Sequence, residues 1–396
     1  MNAEARLVYA DHHATTPLDP EVFAAMLPWL EGLSANPSST HGPGRAAREG
    51  VETARAEVAM ALGVEPSEIV FTSGGTEADN LAVRGGARGA RETDPARTRD
   101  LFTAAENAAV REAALSLRAD GFGPVELPVD ARGVPAAASL AAASETGTKT
   151  ATVALVSVIL ANNETGAVFD TLAAFGAAAR ACGAVVHTDA VQAVGKIPVN
   201  ARALGVDLLA LTAHKFGGPK GAGALFVRKG VRLQPLAAGG GQERGRRGGT
   251  ENVAGIVGLG AAIRLASARL STEAARLAGL RDRFEAGLVA RVPGARINAA
   301  NGSRLPTATS AVFPGTDAET LVAALDLDGI AVSAGSACHA GTTSPSRVLL
   351  ALGLSPAEAR ATLRFSFGRG SSQEDVERLL ETVPRVVARA RETVRA

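Results

Sequence analysis

Lys215 is the residue whose type and position first suggest chemistry. It follows a predicted strand at residues 206–212, in the segment LTAHKFGGP, and the chain has five lysines against 36 arginines. Ligands of open α/β sheets bind at the carboxyl ends of strands. A lysine there, flanked by small residues, can form a Schiff base with an aldehyde. The alternative is an ordinary surface lysine.

Asp189 stands at the end of the preceding predicted strand, 26 residues before Lys215. A carboxylate in this position can keep a ring nitrogen protonated, which pyridoxal phosphate (PLP) requires to act as an electron sink. The aspartate could instead cap the following helix. A lysine and an aspartate at neighbouring strand ends together favour PLP over either single alternative.

The segment Ser73-Gly-Gly-Thr-Glu77 is a predicted turn from a strand into a helix. Its glycines allow close approach of an anion, and free N–H groups at a helix start attract phosphate. It is not a Walker loop, because GxxxxGK[ST] is absent. A plain glycine turn has the same pattern, so this motif alone is weak.

Two further residues could take part in chemistry. Cys338 lies in a loop of small residues beside His339, which would favour its thiolate, whereas a free cysteine is often simply buried. Arg364 interrupts the apolar run LRFSF, where its guanidinium fits a substrate carboxylate or an internal ion pair. Cys182 ends an apolar helix and is predicted to be structural.

Alternating elements must position these residues. Predicted strands lie at 68–72, 152–160, 184–188 and 206–212, with helices at 76–86 and 170–182, which predicts a parallel α/β sheet. One or two long helices follow at 254–292. A smaller pattern of strands at 308–313, 330–333 and 362–367 alternates with helices at 317–326, 346–352 and 373–394. The boundary falls near residue 260, and residues 91–99 are predicted to be an exposed loop.

Composition limits the class of function. The 396 residues are 46% apolar and 20% charged with a net charge of +1, which excludes a strongly basic nucleic-acid binder. The Gly/Arg-rich loop at 236–249 is a single short stretch in a chain with 4% aromatic residues, so it does not predict RNA binding. Two cysteines, no signal-peptide pattern and no run long enough to span a bilayer predict a cytoplasmic protein without direct nucleic-acid or membrane partners.

Ten motifs in consistent order resemble one family across roughly residues 7 to 385. The chain resembles cysteine desulfurases of the NifS/IscS type, which are PLP enzymes of the class V aminotransferase group. The matching segments are DHHATTP from Asp11, NPSS from Asn36, TSGGTE from Thr72, NNETG from Asn162, HTDAVQ from His187, HK at His214, GGGQERG from Gly239, GT at Gly249, SACH from Ser336 and RFS from Arg364.

The resemblance implies a role for each matched residue. Lys215 binds PLP covalently and Asp189 pairs with its ring nitrogen, while Cys338 accepts the sulfur of L-cysteine as a persulfide. The remaining implied residues hold the ring hydroxyl (Asn163 and Gln192), the phosphate (Gly75, Thr76, Thr212 and His214, with Thr250 from the other subunit) and the substrate carboxylate (Asn36 and Arg364). It implies no metal ligand.

The resemblance also implies an architecture and partners. The expected fold is PLP fold type I, with a mainly parallel sheet of about seven strands flanked by helices and a smaller α/β C-terminal domain. The expected divisions are an N-terminal segment at 1–17 near the site, a PLP-binding domain at 18–260 and a small domain at 261–396. The implied partners are a second copy in a homodimer, L-cysteine, and a sulfur-acceptor protein in iron–sulfur cluster assembly or thiolation. The spacing from Cys338 to Arg364 resembles the long-loop subgroup, and the chain ends before the scaffold-binding tail of some relatives.

One position departs from the family pattern. Family members carry a histidine that stacks on the PLP ring and is assigned a proton-transfer role, whereas this chain has Asn107 in the segment TAAENAAV. An amide forms hydrogen bonds but does not titrate near neutral pH. The departure keeps a second hypothesis open, namely a selenocysteine lyase, another PLP-dependent C–S lyase or a class V aminotransferase-like enzyme with altered chemistry. His339 and His13 are the candidates to replace the missing group.

Overall fold

The computed structural model describes residues 6–32, 35–145, 152–335 and 344–395. The described strands are short and divide among three sheets. In chain order they are β1 (Val8–Tyr9), β2 (Ile69–Thr72), β3 (Arg97–Thr103), β4 (Gly123–Leu127), β5 (Thr152–Ser157), β6 (Val185–Asp189), β7 (Leu208–Thr212), β8 (Gly223–Val227), β9 (Arg296–Ile297), β10 (Ala308–Val312), β11 (Ile330–Ala331), β12 (Ser333–Ala334) and β13 (Thr362–Ser366).

The described helices cover the sheets and join them. In chain order they are α1 (Pro20–Glu31), α2 (Gly42–Leu62), α3 (Gly75–Asn80), α4 (Gly86–Thr93), α5 (Ala108–Ser116), α6 (Ala137–Glu145), α7 (Leu172–Ala181), α8 (Ala201–Leu204), α9 (Val253–Arg291), α10 (Ala318–Leu327), α11 (Arg347–Ala351), α12 (Pro356–Arg360) and α13 (Gln373–Arg395). A π-helical turn, Leu81–Gly85, joins α3 directly to α4.

The largest sheet has seven strands in the order β2-β8-β7-β6-β5-β3-β4. Its pairings are parallel except those of β8, which runs antiparallel to both β2 and β7. Successive residues of β7 pack into different cores, with Leu209 and Leu211 on one face and Leu208 and Ala210 on the other. Burial on both faces explains why these strands are continuous apolar runs. The predicted α/β class with a mainly parallel sheet is confirmed.

The C-terminal part is built on a smaller antiparallel sheet in the order β12-β13-β10-β9. The third sheet has two strands, β1 and β11, which run parallel and connect the start of the chain to this region. Phe284, Phe313, Phe365 and Phe367 lie in the core beneath this sheet. The N-terminal segment is therefore held by strand pairing at the C-terminal part of the fold.

Helix α9 contributes to both cores. Its first half, including Ile256 and Leu259, packs with the large sheet, and Leu277 to Leu288 pack with the C-terminal core. The helix runs without a break through residue 260, so the division of the chain at that position stays a prediction. By length and composition α9 could cross a membrane, with 44% of its most apolar window buried, and core helices of soluble proteins meet the same test.

The prediction of an exposed loop at 91–99 is wrong. Helix α4 continues to Thr93, and β3 begins at Arg97. The first residues of β3 are polar and half-exposed, so the sequence pattern there does not indicate a strand. The strand forms because its backbone pairs with β4 and β5. Sequence reasoning also did not predict β4, β8, α1 or α2.

Candidate active site

Three parallel strands bring the predicted residues to one edge of the large sheet. Asp189 is the last residue of β6 and Thr212 the last residue of β7. Lys215 follows in a 3-10 turn, Ala213–Lys215, and Asn163 follows β5. The carboxyl ends of neighbouring parallel strands share one edge, which is where α/β sheets bind ligands.

The amine of Lys215 is held by the N-terminal segment. Its Nζ donates to the backbone carbonyl of Ala14 at 2.8 Å and also to that of His13. The backbone N–H of His13 in turn donates to Ser366 Oγ at 2.8 Å, on β13 of the C-terminal sheet. The segment thus links the lysine to both parts of the fold.

Asp189 is buried and within electrostatic reach of Lys215, although the two do not form a salt bridge. Its Oδ1 accepts from the backbone N–H of Val191 at 2.8 Å, and it forms no ion pair with a described residue. Burial, reinforced by the negative charge of Asp79, raises the pKa of Asp189 to about 8. The carboxyl is therefore protonated at neutral pH in the protein alone, and a cationic ring nitrogen would favour its ionised form.

Further titratable groups surround Asp189 and were not predicted from the sequence. Burial raises the pKa of Asp79 and Glu106 well above the usual range, and it lowers the pKa of His187 to about 4. His187 Nδ1 contacts Ser157 Oγ at 3.0 Å. For His187 the segment HTD was the available signal, because residues two apart on a strand share a face and His187 is two residues before Asp189.

The predicted phosphate residues line one cavity of about 370 Å³. Gly75, Thr76, Thr212 and His214 all contribute to its wall. A Cβ on Gly75 would stand 2.8 Å from Val191 Cγ2, so the turn needs glycine here. Burial, reinforced by the positive charge of Lys215, lowers the pKa of His214 to about 4, which leaves the ring neutral.

Lys220 lines the same cavity and was missed by the sequence analysis. An ammonium group there suits a phosphate, since anions are bound by cations and free N–H donors. The scarcity of lysine and the turn GPKG just after Lys215 were the signals that could have found it.

The two residues expected at a ring hydroxyl already have protein partners. Gln192 donates from Nε2 to His13 O at 2.9 Å and accepts from Lys196 through Oε1. Asn163 Oδ1 accepts from Asn107 Nδ2 at 3.4 Å. Their contact with a cofactor stays a prediction.

Asn107 is the N-cap of α5. Its Oδ1 accepts from the backbone N–H of Ala109 at 3.0 Å, which satisfies one of the free donors at the helix start. Asn107 therefore has a structural role that an amide performs well.

The described chain does not bring the two predicted carboxylate-binding residues together. Arg364 is buried and donates to Asp11 Oδ1 at 2.7 Å and to Asn163 O at 3.0 Å, while its Nε has no partner. Asn36 is exposed, and its Oδ1 accepts from Ser38 N. The internal ion pair considered for Arg364 is present, and donors remain for a ligand.

Only one of the two cysteines, Cys182, lies among the described residues. Cys338 and His339 lie outside the described residues. Cys182 is exposed just after α7, so the interpretation of a structural cysteine is wrong: the helix ends before this residue, and its side chain faces solvent.

Thr250 is exposed, and the loop that precedes it is anchored through Glu243. Glu243 is buried, and its carboxylate accepts from Arg55 Nη2 at 2.8 Å and from Phe71 N at 2.9 Å. Glu243 and Arg244 have φ values of 47° and 57°, a left-handed conformation that non-glycine residues adopt only when their surroundings enforce it. The loop before Thr250 is thus fixed to the edge strand β2.

Comparison with known proteins agrees with this geometry. The family model described as "Aminotransferase class-V" matches residues 8–379, and the chain belongs to this family, whose members use PLP. The chain is 42% identical to a cysteine desulfurase of Trichormus azollae over 97% of its own length and 94% of that protein. A solved "NifS-like protein" superposes with a TM-score of 0.86 at 36% identity, covering 96% of this chain and 99% of that one. A structure titled "SspA in complex with cysteine" gives a TM-score of 0.77 at 32% identity, with coverage of 91% and 98%.

The residues present fit PLP. A buried carboxyl that forms no salt bridge suits the ring nitrogen, an amine at the adjacent strand end suits the aldehyde, and the cavity beside Thr76 and Lys220 suits the phosphate. These three chemical demands are met at one sheet edge.

We predict that borohydride reduction of the purified yellow protein fixes PLP on Lys215, since its amine lies at the strand end beside Asp189. Peptide mass spectrometry locates the label, and Lys215→Ala should abolish it, whereas Lys229→Ala, at an exposed position, should not. A label on Lys196 or Lys220 would overturn the assignment.

Proposed function

We propose that the protein is a PLP-dependent cysteine desulfurase that converts L-cysteine to L-alanine and passes the sulfur through Cys338 to an acceptor protein. The observation that carries this proposal is a buried carboxyl, Asp189, within electrostatic reach of the amine of Lys215. Membership of the class V family and the 42% identity to a curated desulfurase narrow the PLP chemistry to this reaction.

The first step is removal of the substrate α-proton. When bound, PLP supplies an electron sink for the charge left at Cα. Lys215 is the proposed base, because its amine becomes free once substrate has taken its place. Asp189 holds the ring nitrogen proton through its ionised carboxylate.

Arg364 is the proposed partner of the substrate carboxylate. It keeps unused N–H groups, including the buried Nε that has no partner. Asp11 and the carbonyl of Asn163 hold the guanidinium in place, so the remaining donors keep a defined direction. Asn36 is proposed as its helper on the basis of the family resemblance.

The sulfur step balances without an added oxidant. The Cys338 thiolate attacks the sulfur of cysteine, a new S–S bond forms, and the Cβ–S bond breaks. The electron pair left on carbon is protonated, which gives alanine and a persulfide on Cys338. A second thiol or an acceptor protein then takes the outer sulfur.

Asn107 favours a second candidate, a C–S lyase with altered chemistry. Its amide does not titrate near neutral pH, and it caps α5. His13 does not offer an obvious substitute, because its Nε2 contacts Thr307 Oγ1 at 2.9 Å and its Nδ1 contacts Asn163 O at 3.3 Å. Elimination would yield pyruvate, ammonia and sulfide with consumption of water, in place of alanine, and selenocysteine is a further candidate substrate.

The proposed assembly is a homodimer in the cytoplasm. The exposed Thr250, at the end of a loop fixed through Glu243, supports a contribution to the phosphate site of a second copy. A reduced compartment is supported by the proposed reactive thiol, and the acceptor is proposed only as a protein of the iron–sulfur or thiolation pathways.

We predict that Asn107→His raises cysteine turnover, because a missing acid–base group costs on the order of 10²–10⁴ in rate. Alanine formation measures the effect. Asn107→Ser is the control, since serine retains an N-cap acceptor and adds no group that titrates near neutral pH. Equal rates in all three proteins would show that position 107 takes no part in the proton step, and a large loss in His339→Ala would place the role there.

Replacement of Cys338 should separate binding from sulfur transfer. Cys338→Ser is expected to retain PLP and the spectral change on adding L-cysteine, yet to form no persulfide and little alanine. Cys182→Ser, which changes the exposed cysteine after α7, should keep near-normal activity. Alanine at the wild-type rate from the Cys338 variant contradicts the proposal, and pyruvate from the wild type indicates elimination.

Sedimentation of the native protein should give a dimer. Thr250→Ala is expected to weaken PLP binding about tenfold through loss of one phosphate contact, without dissociating the dimer. Thr316→Ala, a change at a threonine whose hydroxyl donates to Phe313 O in the C-terminal part, should leave PLP affinity unchanged. A fully active monomer would refute the shared site.

A further inference from the structure

A second cavity, of about 470 Å³, lies behind the N-terminal segment. Thr16 and Pro17 face it, whereas the adjacent Ala14 and Thr15 face the phosphate cavity. The two cavities have no lining residue in common. The segment thus separates two spaces, and Lys215 lies on the wall of the second one.

Most of the wall of this second cavity is apolar. Its volume is in the range of small-molecule sites, which are mainly apolar with a few polar groups that orient the ligand. The apolar side chains come from α1, from the turn after Lys215, from α9 and from the end of β13: Val22, Phe216, Leu265, Leu277 and Phe367.

Lys196 lies on this wall and forms no salt bridge with a described residue. It is only 8% exposed, and its Nζ donates to Gln192 Oε1. The two acidic residues on the wall are engaged elsewhere: Asp19 pairs with Arg269 at 2.8 Å and with Arg369, and Glu273 pairs with Arg276 at 2.9 Å. Buried charges in proteins are normally paired, so an ammonium at this position calls for an anion.

His12 provides a second unsatisfied group on the same wall. It is 5% exposed, and its Nδ1 has no hydrogen-bond partner. Gly368, which also lines the cavity, faces this nitrogen, and a Cβ at position 368 would stand 2.2 Å from it. A larger residue at position 368 would therefore clash with the His12 ring.

We propose that this cavity is a binding site for a small organic acid that has one carboxylate and an aliphatic or aromatic body. The carboxylate accepts from Lys196 Nζ and from a ring N–H of His12, and the body lies against the apolar wall. Burial lowers the pKa of Lys196 well below its usual range in the protein alone, and a bound anion favours the charged ammonium. The site adjoins Lys215, which also lines the cavity, and its test does not require the proposed reaction.

Calorimetric titration of the PLP-bound protein tests the proposal with 4-phenylbutyrate, which has no amino group to react with PLP. The neutral 4-phenylbutanamide serves as the matched ligand. We expect the acid to bind at least tenfold more tightly than the amide, since a charge-assisted hydrogen bond is about twice as strong as a neutral one.

Variants locate the acid. Lys196→Met should remove the preference for the acid, Lys229→Met should keep it, and Ala266→Phe, which fills the cavity, should weaken both ligands. Lys196→Gln is measured in parallel, with retention of PLP and melting temperature as checks on folding. The proposal would be overturned by equal binding of acid and amide or by no binding of either ligand. It would also be overturned by a preference for the acid that survives Lys196→Met and Lys196→Gln but is lost in Arg364→Met. None of these measurements depends on cysteine turnover.

Discussion

The site depends on the burial of one carboxyl group, Asp189, which lies at a strand end and forms no salt bridge with a described residue. Transfer of an ionised carboxylate from water to a protein interior is costly unless it is paired. The protein alone meets this cost by protonation, with a pKa of about 8 against 3.8 in the unfolded chain. Because the folded-state pKa is the higher one, this group makes the cofactor-free protein less stable as pH rises from about 4 to 8. A bound cationic ring nitrogen reverses that preference, so the fold is built to be completed by its cofactor.

The N-terminal segment makes this site part of the whole molecule. Its strand β1 pairs with β11, His13 bonds to Ser366 on β13, and its carbonyls hold the Lys215 amine. Lys215 and Arg364 come from different sheets, yet both contact groups on this one segment or next to it. The segment from Asp11 to Ala14 therefore contacts both the lysine and the arginine and fixes their relative position. The binding of a substrate to both groups therefore depends on how the two parts of the protein pack together.

Patterns in the sequence predicted the elements that are buried on both faces and the residues that end them. Strands β5 and β7 were recognisable as continuous apolar runs, and Asp189 and Lys215 by their positions after strands. Strand β3 was missed because its first half is charged, and its conformation is set by pairing with distant segments. The sequence could not show the buried acids Asp79 and Glu106, the cavity role of Lys220 or the burial of Lys196 without a salt bridge, since burial and pairing are tertiary properties. The exposure of Cys182 was misjudged because a helix end gives no indication of which side faces solvent.

Nitrogen-15 NMR of the protein reconstituted with ring-labelled PLP tests the central claim most directly. If Asp189 is the counter-ion that the buried site requires, the ring nitrogen will have the chemical shift of a protonated pyridine across the neutral pH range, and Asp189→Asn will move it to the unprotonated value. Asp207→Asn, a change at a carboxylate that instead pairs with Arg228 at 3.2 Å, should leave the shift unchanged. An unprotonated ring nitrogen in the wild-type protein at neutral pH would contradict the account.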